Sequence, residues 1–136
     1  MAKAKKIDYL YGVGRRKQSQ ARVRLYRGKG ENTVNGMPVA KYFSGAVAEK
    51  AMAKPFGATE TSEKYYFSGR VVGGGKEGQL DALILALSRA LLKVAPEKNR
   101  LVLRKLNLLT RDSRVRQRRM VGMGGKSRRK KQSPKR

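Results

Sequence analysis

The chain has 136 residues, 34 of them Lys or Arg against 9 Asp or Glu, which leaves a formal charge of +25. It contains neither cysteine nor histidine, so disulfides, Cys/His zinc sites and histidine-based dyads or triads are excluded. The length suits one domain of about 100 residues with a tail, and the longest apolar run, Ala82–Leu87, is far too short to span a bilayer.

The charge is unevenly placed. Residues 1–29 hold 10 basic groups and one acid, residues 30–97 hold 8 and 7, and residues 98–136 hold 16 and one. A near-neutral globular middle is thus flanked by cationic ends, a balance whose self-repulsion calls for phosphate counter-charge. Nucleic acid is the leading partner and a membrane surface a distant second. The opening Met1-Ala2-Lys3-Ala4-Lys5-Lys6 has the charge of a signal n-region, but Asp8 and the polar residues after Val13 leave no apolar core for export. Together with the missing cysteines, this fits a reducing cytoplasm.

In chain order, Ile7, Tyr9, Tyr11 and Val13 alternate with mostly small or polar neighbours, which predicts a strand. Tyr9 and Tyr11, like Tyr65 and Phe67 further on, are expected to pack in the core rather than to stack on bases. Gly14-Arg15-Arg16-Lys17-Gln18 reads as a basic loop. Alternation then resumes, with Ala21, Val23 and Leu25 on one face and Arg22 and Arg24 on the other. Arginines at period two present guanidinium forks spaced to meet a phosphate backbone.

Gly28 to Asn32 and Asn35-Gly36 carry turn chemistry. Val39 to Lys54 has helical apolar spacing with a break near Gly45, and Pro55-Phe56-Gly57 is expected to end it. Glu63 to Val72 is rich in Tyr, Phe and Val and predicts another strand. Gly73-Gly74-Gly75-Lys76-Glu77-Gly78 then satisfies the dinucleotide pattern G-x-G-x-x-G, but no strand follows the next helix to complete such a unit. Two readings of these glycines remain. They make a turn that needs positive φ, or they let backbone N–H groups and Lys76 approach a nucleic-acid phosphate.

Leu80, Leu83, Ile84, Leu87 and Leu91 form one helical face, while Ala82, Ala86 and Ala90 keep another side slim. This helix is expected to pack across the sheet. Pro96 opens a following helix, Glu97 to Leu106, whose Arg100, Arg104 and Lys105 begin a basic arm. Beyond Leu109 no apolar period survives, which sets a globular domain at 1–109 and an extended basic tail at 110–136.

Ser113 to Arg136 carries eleven Lys or Arg and no acid. Ordering costs roughly 1–2 kcal/mol per residue, and a segment with so little to bury does not offset that alone. It is expected to order on a polyanion. Gly125-Lys126-Ser127 has the ending of a P-loop, but Met120 stands where that motif needs glycine. No acid–base pair can be named, so the chain is not expected to be an enzyme or to use a cofactor or metal. A free-standing, histone-like packaging protein and a nucleotide-using enzyme are the rival readings of the same residues.

Three stretches carry a family resemblance. Gly12 to Val23 (GVGRRKQSQARV), Gly73 to Leu91 (GGGKEGQLDALILALSRAL) and Leu108 to Arg114 (LLTRDSR), with the closing Lys135-Arg136, resemble the universal small-subunit ribosomal protein S9 family, in its bacterial or organellar branch. Two departures stand out: Ser113 replaces the usual Pro after the Asp, and Pro134 precedes the final Lys-Arg where Ser is common. Pro134 restricts Ser133 and the approach direction of the tip.

The resemblance implies an α/β domain of the ribosomal S5 domain 2-like type, with a four-stranded sheet, helices packed on one side, a left-handed crossover and a long extended basic C-terminal tail. It implies a place in the head of the small ribosomal subunit, bound to the 3′ major domain of 16S-type rRNA near S10 and S14, in the cytoplasm or an organelle and not at a membrane. The rRNA-binding residues are then expected to be Arg15, Arg16, Lys17, Arg22, Arg24, Gly73, Gly74, Gly75 and Lys76 in the domain. In the tail they are Arg111, Arg114, Arg116, Arg118, Arg119, Lys126, Arg128, Arg129, Lys130 and Lys131. By the same resemblance, Lys135 and Arg136 touch the anticodon stem-loop of peptidyl-site tRNA. Twenty-four extended residues reach up to about 80 Å, and contacts of this kind hold a phosphate backbone without reading a base edge.

Overall fold

The structure, a computed structural model, describes residues 8–124. Five strands and four helices follow one another as β1 (Leu10–Arg16), β2 (Ser19–Arg27), β3 (Thr33–Val34), β4 (Met37–Pro38), α1 (Val39–Tyr42), α2 (Ala46–Thr59), β5 (Tyr65–Val72), α3 (Lys76–Leu92) and α4 (Pro96–Lys105). The strands form one sheet in the order β1-β2-β5-β3-β4. Neighbours are antiparallel except β3 and β5, which run parallel. This mixed α/β arrangement is consistent with an S5-like domain.

The sheet has five strands where four were expected. The difference is made at Asn35-Gly36, where both residues adopt positive φ, 51° and 80°. A two-residue loop of that kind matches the twist of a hairpin, so the chain folds back and adds the short strand β4 at the sheet edge. Pro38, which has no N–H to donate, is tolerated there because an edge strand leaves one side unpaired. The asparagines around the hairpin extend the short parallel ladder. Asn32 Oδ1 accepts from the Phe67 amide at 3.1 Å. Asn35 Oδ1 accepts from the Val71 amide at 2.9 Å while its Nδ2 donates to the Val71 carbonyl at 3.0 Å.

Helix α3 covers one face of the sheet. Ala21, Val23, Leu25, Phe67 and Val71 point into it and are buried against Leu83, Leu87 and Leu91. Burial of each large apolar side chain contributes roughly 1.5–3 kcal/mol. The slim alanine column has a specific partner. A Cβ on Gly12 would collide with the Ala86 carbonyl, and one on Gly14 with the Ala82 carbonyl. Strand β1 and helix α3 therefore touch backbone to backbone, and only glycine on one side and alanine on the other permit it.

That contact reverses the expected faces of β1. Gly12 and Gly14 point inward, and Tyr9 and Tyr11, expected in the core, are exposed at 40% and 37%. Of the other two aromatics, Phe67 is fully buried and Tyr65 is half-buried against the core, as expected. The basic loop also shrinks. Gly14, Arg15 and Arg16 belong to β1, paired with β2 up to Arg16 opposite Ser19, and Lys17-Gln18 alone make the turn.

Helix α2 continues past Pro55 to Thr59 rather than stopping at Pro55-Phe56-Gly57. Packing outweighs the local break: Pro55 is fully buried and the Phe56 ring stacks on Phe67 at 6.1 Å between centroids. The Pro55 carbonyl accepts from Thr59 Oγ1 at 3.0 Å, and the helix ends at Glu60 in the left-handed region. Helix α3 begins at Lys76, four residues before the first leucine of its apolar face. Helix α4 starts at Pro96 as expected and is tied to α3 by the buried Asn99, whose Nδ2 donates to the Leu91 carbonyl at 2.7 Å. No helix among the described residues is long and apolar enough to cross a membrane.

Candidate nucleic-acid interface

Among the described residues no element covers the sheet face away from α3. Strand alternation places Tyr11, Val13 and Arg15 of β1, Gln20, Arg22, Arg24 and Tyr26 of β2, and Ser68, Arg70 and Val72 of β5 on that side. Four of these are arginines and none is an acid. The register sets Arg24 across from Tyr11 on one side and Ser68 on the other, and Arg22 across from Val13 and Arg70. Both expected strand arginines are thus brought together on an exposed surface, joined by Arg15 one position further along β1.

Arg70 belongs to the same patch and sequence reasoning missed it. Its signal was present, because Phe67, Gly69 and Val71 alternate with Ser68, Arg70 and Val72. The Tyr- and Phe-rich run marks a strand but does not by itself say which of its faces is exposed.

Aromatic rings line one end of this face. Tyr26 stacks on Tyr66 at 5.3 Å and meets Tyr9 at 5.9 Å, and the Arg24 guanidinium lies 5.1 Å from the Tyr9 centroid. Such contacts hold Arg24 extended along the surface while leaving its N–H groups available.

Arg16 has a different occupation. It sits at the end of β1 with its side chain only 13% exposed, 3.6 Å from Asp81 and 3.4 Å from Asp112. Its Nη1 also donates to the backbone carbonyls of Asp112 and Arg114, at 3.2 and 2.6 Å. Arg16 therefore holds the root of the tail. Asp112 in turn accepts from the Arg114 side chain at 2.8–3.2 Å and from its backbone N–H at 3.0 Å. These Arg114 hydrogen bonds, with a smaller contribution from Arg16, hold the Asp112 carboxyl well below the usual range. The same partnership raises Arg114.

The glycine turn is shaped by its neighbours. Gly73 and Gly74 adopt φ of 76° and 62°, and a Cβ on Gly74 would strike the Ser19 hydroxyl. The Gly73 carbonyl accepts from Ser19 Oγ at 3.1 Å and from Gln79 Nε2 at 3.0 Å, which ties the turn to the β1–β2 hairpin. Lys76 Nζ donates to the Tyr42 carbonyl at 3.0 Å and lies 3.6 Å above the Tyr42 ring. The turn reading thus has direct geometric support at Gly73 and Gly74, whereas Gly75 precedes α3 at φ −103° with open space where a Cβ would stand; Lys76 is drawn toward α1. Helix α4, not a strand, follows α3, so the nucleotide pattern lacks its second half.

Lys17 is exposed in the hairpin turn, at φ 53°. Arg111, Arg114, Arg116, Arg118 and Arg119 are all exposed along the outgoing chain. Lys126, Arg128, Arg129, Lys130, Lys131, Lys135 and Arg136 lie outside the described residues. Among the described residues no group of acidic side chains is arranged to hold a metal.

A model of the family described as ribosomal protein S9/S16 matches residues 14–136. The small ribosomal subunit protein uS9 of Desulfotalea psychrophila is 44% identical over 118 residues, covering 87% of this chain and 90% of the relative. That of Leifsonia xyli subsp. xyli is 43% identical over 111 residues, covering 82% of this chain and 66% of the relative.

Proposed function

The chain belongs to the ribosomal protein S9/S16 family, and on that premise we propose that its bare arginine face and basic tail bind rRNA in the head of the small subunit. It is a structural protein of the small ribosomal subunit, serving translation, and not an enzyme. The proposed site is the 3′ major domain of the 16S-type rRNA, beside S10 and S14. The domain docks through Arg22, Arg24 and Arg15 together with Lys17. The tail, residues 110–136 and held near its start at Asp112, continues through rRNA to the peptidyl site, where Lys135 and Arg136 touch the tRNA anticodon stem-loop.

The acid-free outer face of β1, β2 and β5 carries this reading, because four exposed arginines at strand spacing present a phosphate-binding surface. The run of exposed arginines from Arg114 to Arg119 extends the same charge beyond the domain. Sedimentation of the native protein through a sucrose gradient in high salt tests it. Co-migration with small subunits is expected. Equal binding to duplex DNA and rRNA fragments, with loss from the subunit in the wash, would instead mark a packaging protein.

A further inference from the structure

Arg22 and Arg70 stand directly opposite one another on adjacent strands, both exposed. Like charges in that position oppose strand pairing. No carboxylate forms an ion pair with either among the described residues. They border a groove of the outer face that Tyr11, Arg24, Ser68 and Gly36 complete, with the β3–β4 turn as its wall. The groove is lined by donors and an aromatic ring, and no acid lines it.

We infer that this groove takes a single unstacked nucleotide of the rRNA, its phosphate shared by Arg22 and Arg70 and its base laid on the Tyr11 ring. The inference rests on the proposed rRNA-binding role and names the occupant of one part of that surface. Side chains directly opposite on neighbouring strands are close enough for two guanidinium forks to grip one phosphate. Strands lie about 4.8 Å apart and rise about 3.4 Å per residue. Tyr11 pairs with Arg24, two residues along from the Arg22–Arg70 pair, so it stands about 7 Å sideways and about 7 Å along from the midpoint of that pair, roughly 10 Å in all. The long arginine side chains reach across part of that gap and bring a phosphate within a nucleotide's span of the ring. Among the described residues Tyr11 makes no ring–ring or cation–ring contact, unlike Tyr9, Tyr26 and Tyr66, so its exposed ring is free of them for stacking on a base. An acidic protein segment would satisfy the arginines but has no use for that ring.

Three measurements on the full-length chain test this. Arg22→Gln, Arg70→Gln and the double variant are each expected to melt a few degrees higher than the wild type at low salt, because the like-charge pair is gone. Each is also expected to bind 16S-type rRNA more weakly. The slope of log affinity against log salt should fall by less than about 0.7–0.9 in the single variants, where one arginine still holds the phosphate, and by about that amount and no more in the double. A double variant that loses twice that slope would overturn the shared phosphate. A photoreactive aromatic amino acid at position 11, in reconstituted small subunits, is expected to crosslink to rRNA at one unpaired nucleotide. Crosslinks to protein alone, or to paired rRNA, would overturn the inference while leaving subunit membership intact. Failure of the wild type to join small subunits would overturn both.

Discussion

Arg16 Nη1 donates to the Arg114 carbonyl at 2.6 Å, across 98 positions of sequence. The end of the first strand thereby grips the chain where it leaves the last helix. Asp81 and Asp112 stand against the same guanidinium, so one half-buried arginine fixes the chain at residues 112–114. Releasing it, by Arg16→Ala, is expected to speed exchange of the Arg114 amide, which donates to Asp112, by about tenfold while the exchange of β2 and α3 is unchanged. Equal exchange in variant and wild type would mean that the latch does not restrain the tail.

The latch also sets a pH dependence. The Asp112 carboxyl titrates below its ordinary value of 3.8, chiefly because Arg114 donates to it. A carboxylate whose folded value is depressed stabilises the folded arrangement at every pH above its unfolded value. That contribution fades only as pH falls below 3.8 toward the folded value. Protection of the Arg114 amide is therefore expected to be flat from neutral pH down to about 4 and to decline only below it. Asp112→Asn should abolish the decline and lower protection at neutral pH.

The glycines of β1 should be intolerant of any side chain. Gly12→Ala and Gly14→Ala each drive a methyl into a helix carbonyl of α3, and overpacking of this kind costs about 1–3 kcal/mol, or more where backbone must shift. Gly57→Ala, in a helix with no atom near the new methyl, is expected to stabilise by about 0.5–1 kcal/mol. Urea unfolding of the three variants checks both signs at once.

Asn35→Gly isolates the side-chain bonds to Val71, since glycine accepts the positive φ at least as well. Losing two hydrogen bonds that extend the β3–β5 ladder is expected to cost about 1–2 kcal/mol. A neutral result in thermal unfolding would show that water replaces the amide without loss.

For the proposed tRNA contact, deleting Lys135 and Arg136 is expected to leave small-subunit assembly nearly intact and to hasten dissociation of peptidyl-site tRNA. The effect should shrink as salt rises, because the contact is with phosphate. Unchanged dissociation rates on the truncated ribosomes would remove the assignment.

Much of this protein is legible in the order of its residues. The helix from Leu80 to Leu91 and the strands through Val23 and Phe67 announce themselves by spacing, since burial of one face repeats at 3.6 or 2 residues. The concentration of positive charge after Ser113 is equally plain, because net charge is a property of the chain and not of its fold. The length of α2 is not legible in that way, because the penalty at Pro55 is local while the burial of Pro55 and Phe56 depends on a strand ten residues downstream.

The faces of β1 show where composition alone stops. Periodicity says that Tyr11 and Gly12 point opposite ways, but not which way is in. The backbone of α3 decides that, because it lies so close to β1 that only glycine fits between them. The helix contact sends Tyr9, Tyr11 and Arg15 outward to join Arg22, Arg24 and Arg70, and the turn back toward Asp112 draws Arg16 out of the same basic cluster into an internal clamp. Charge is written in the chain; which charges face a partner and which face one another is settled by packing.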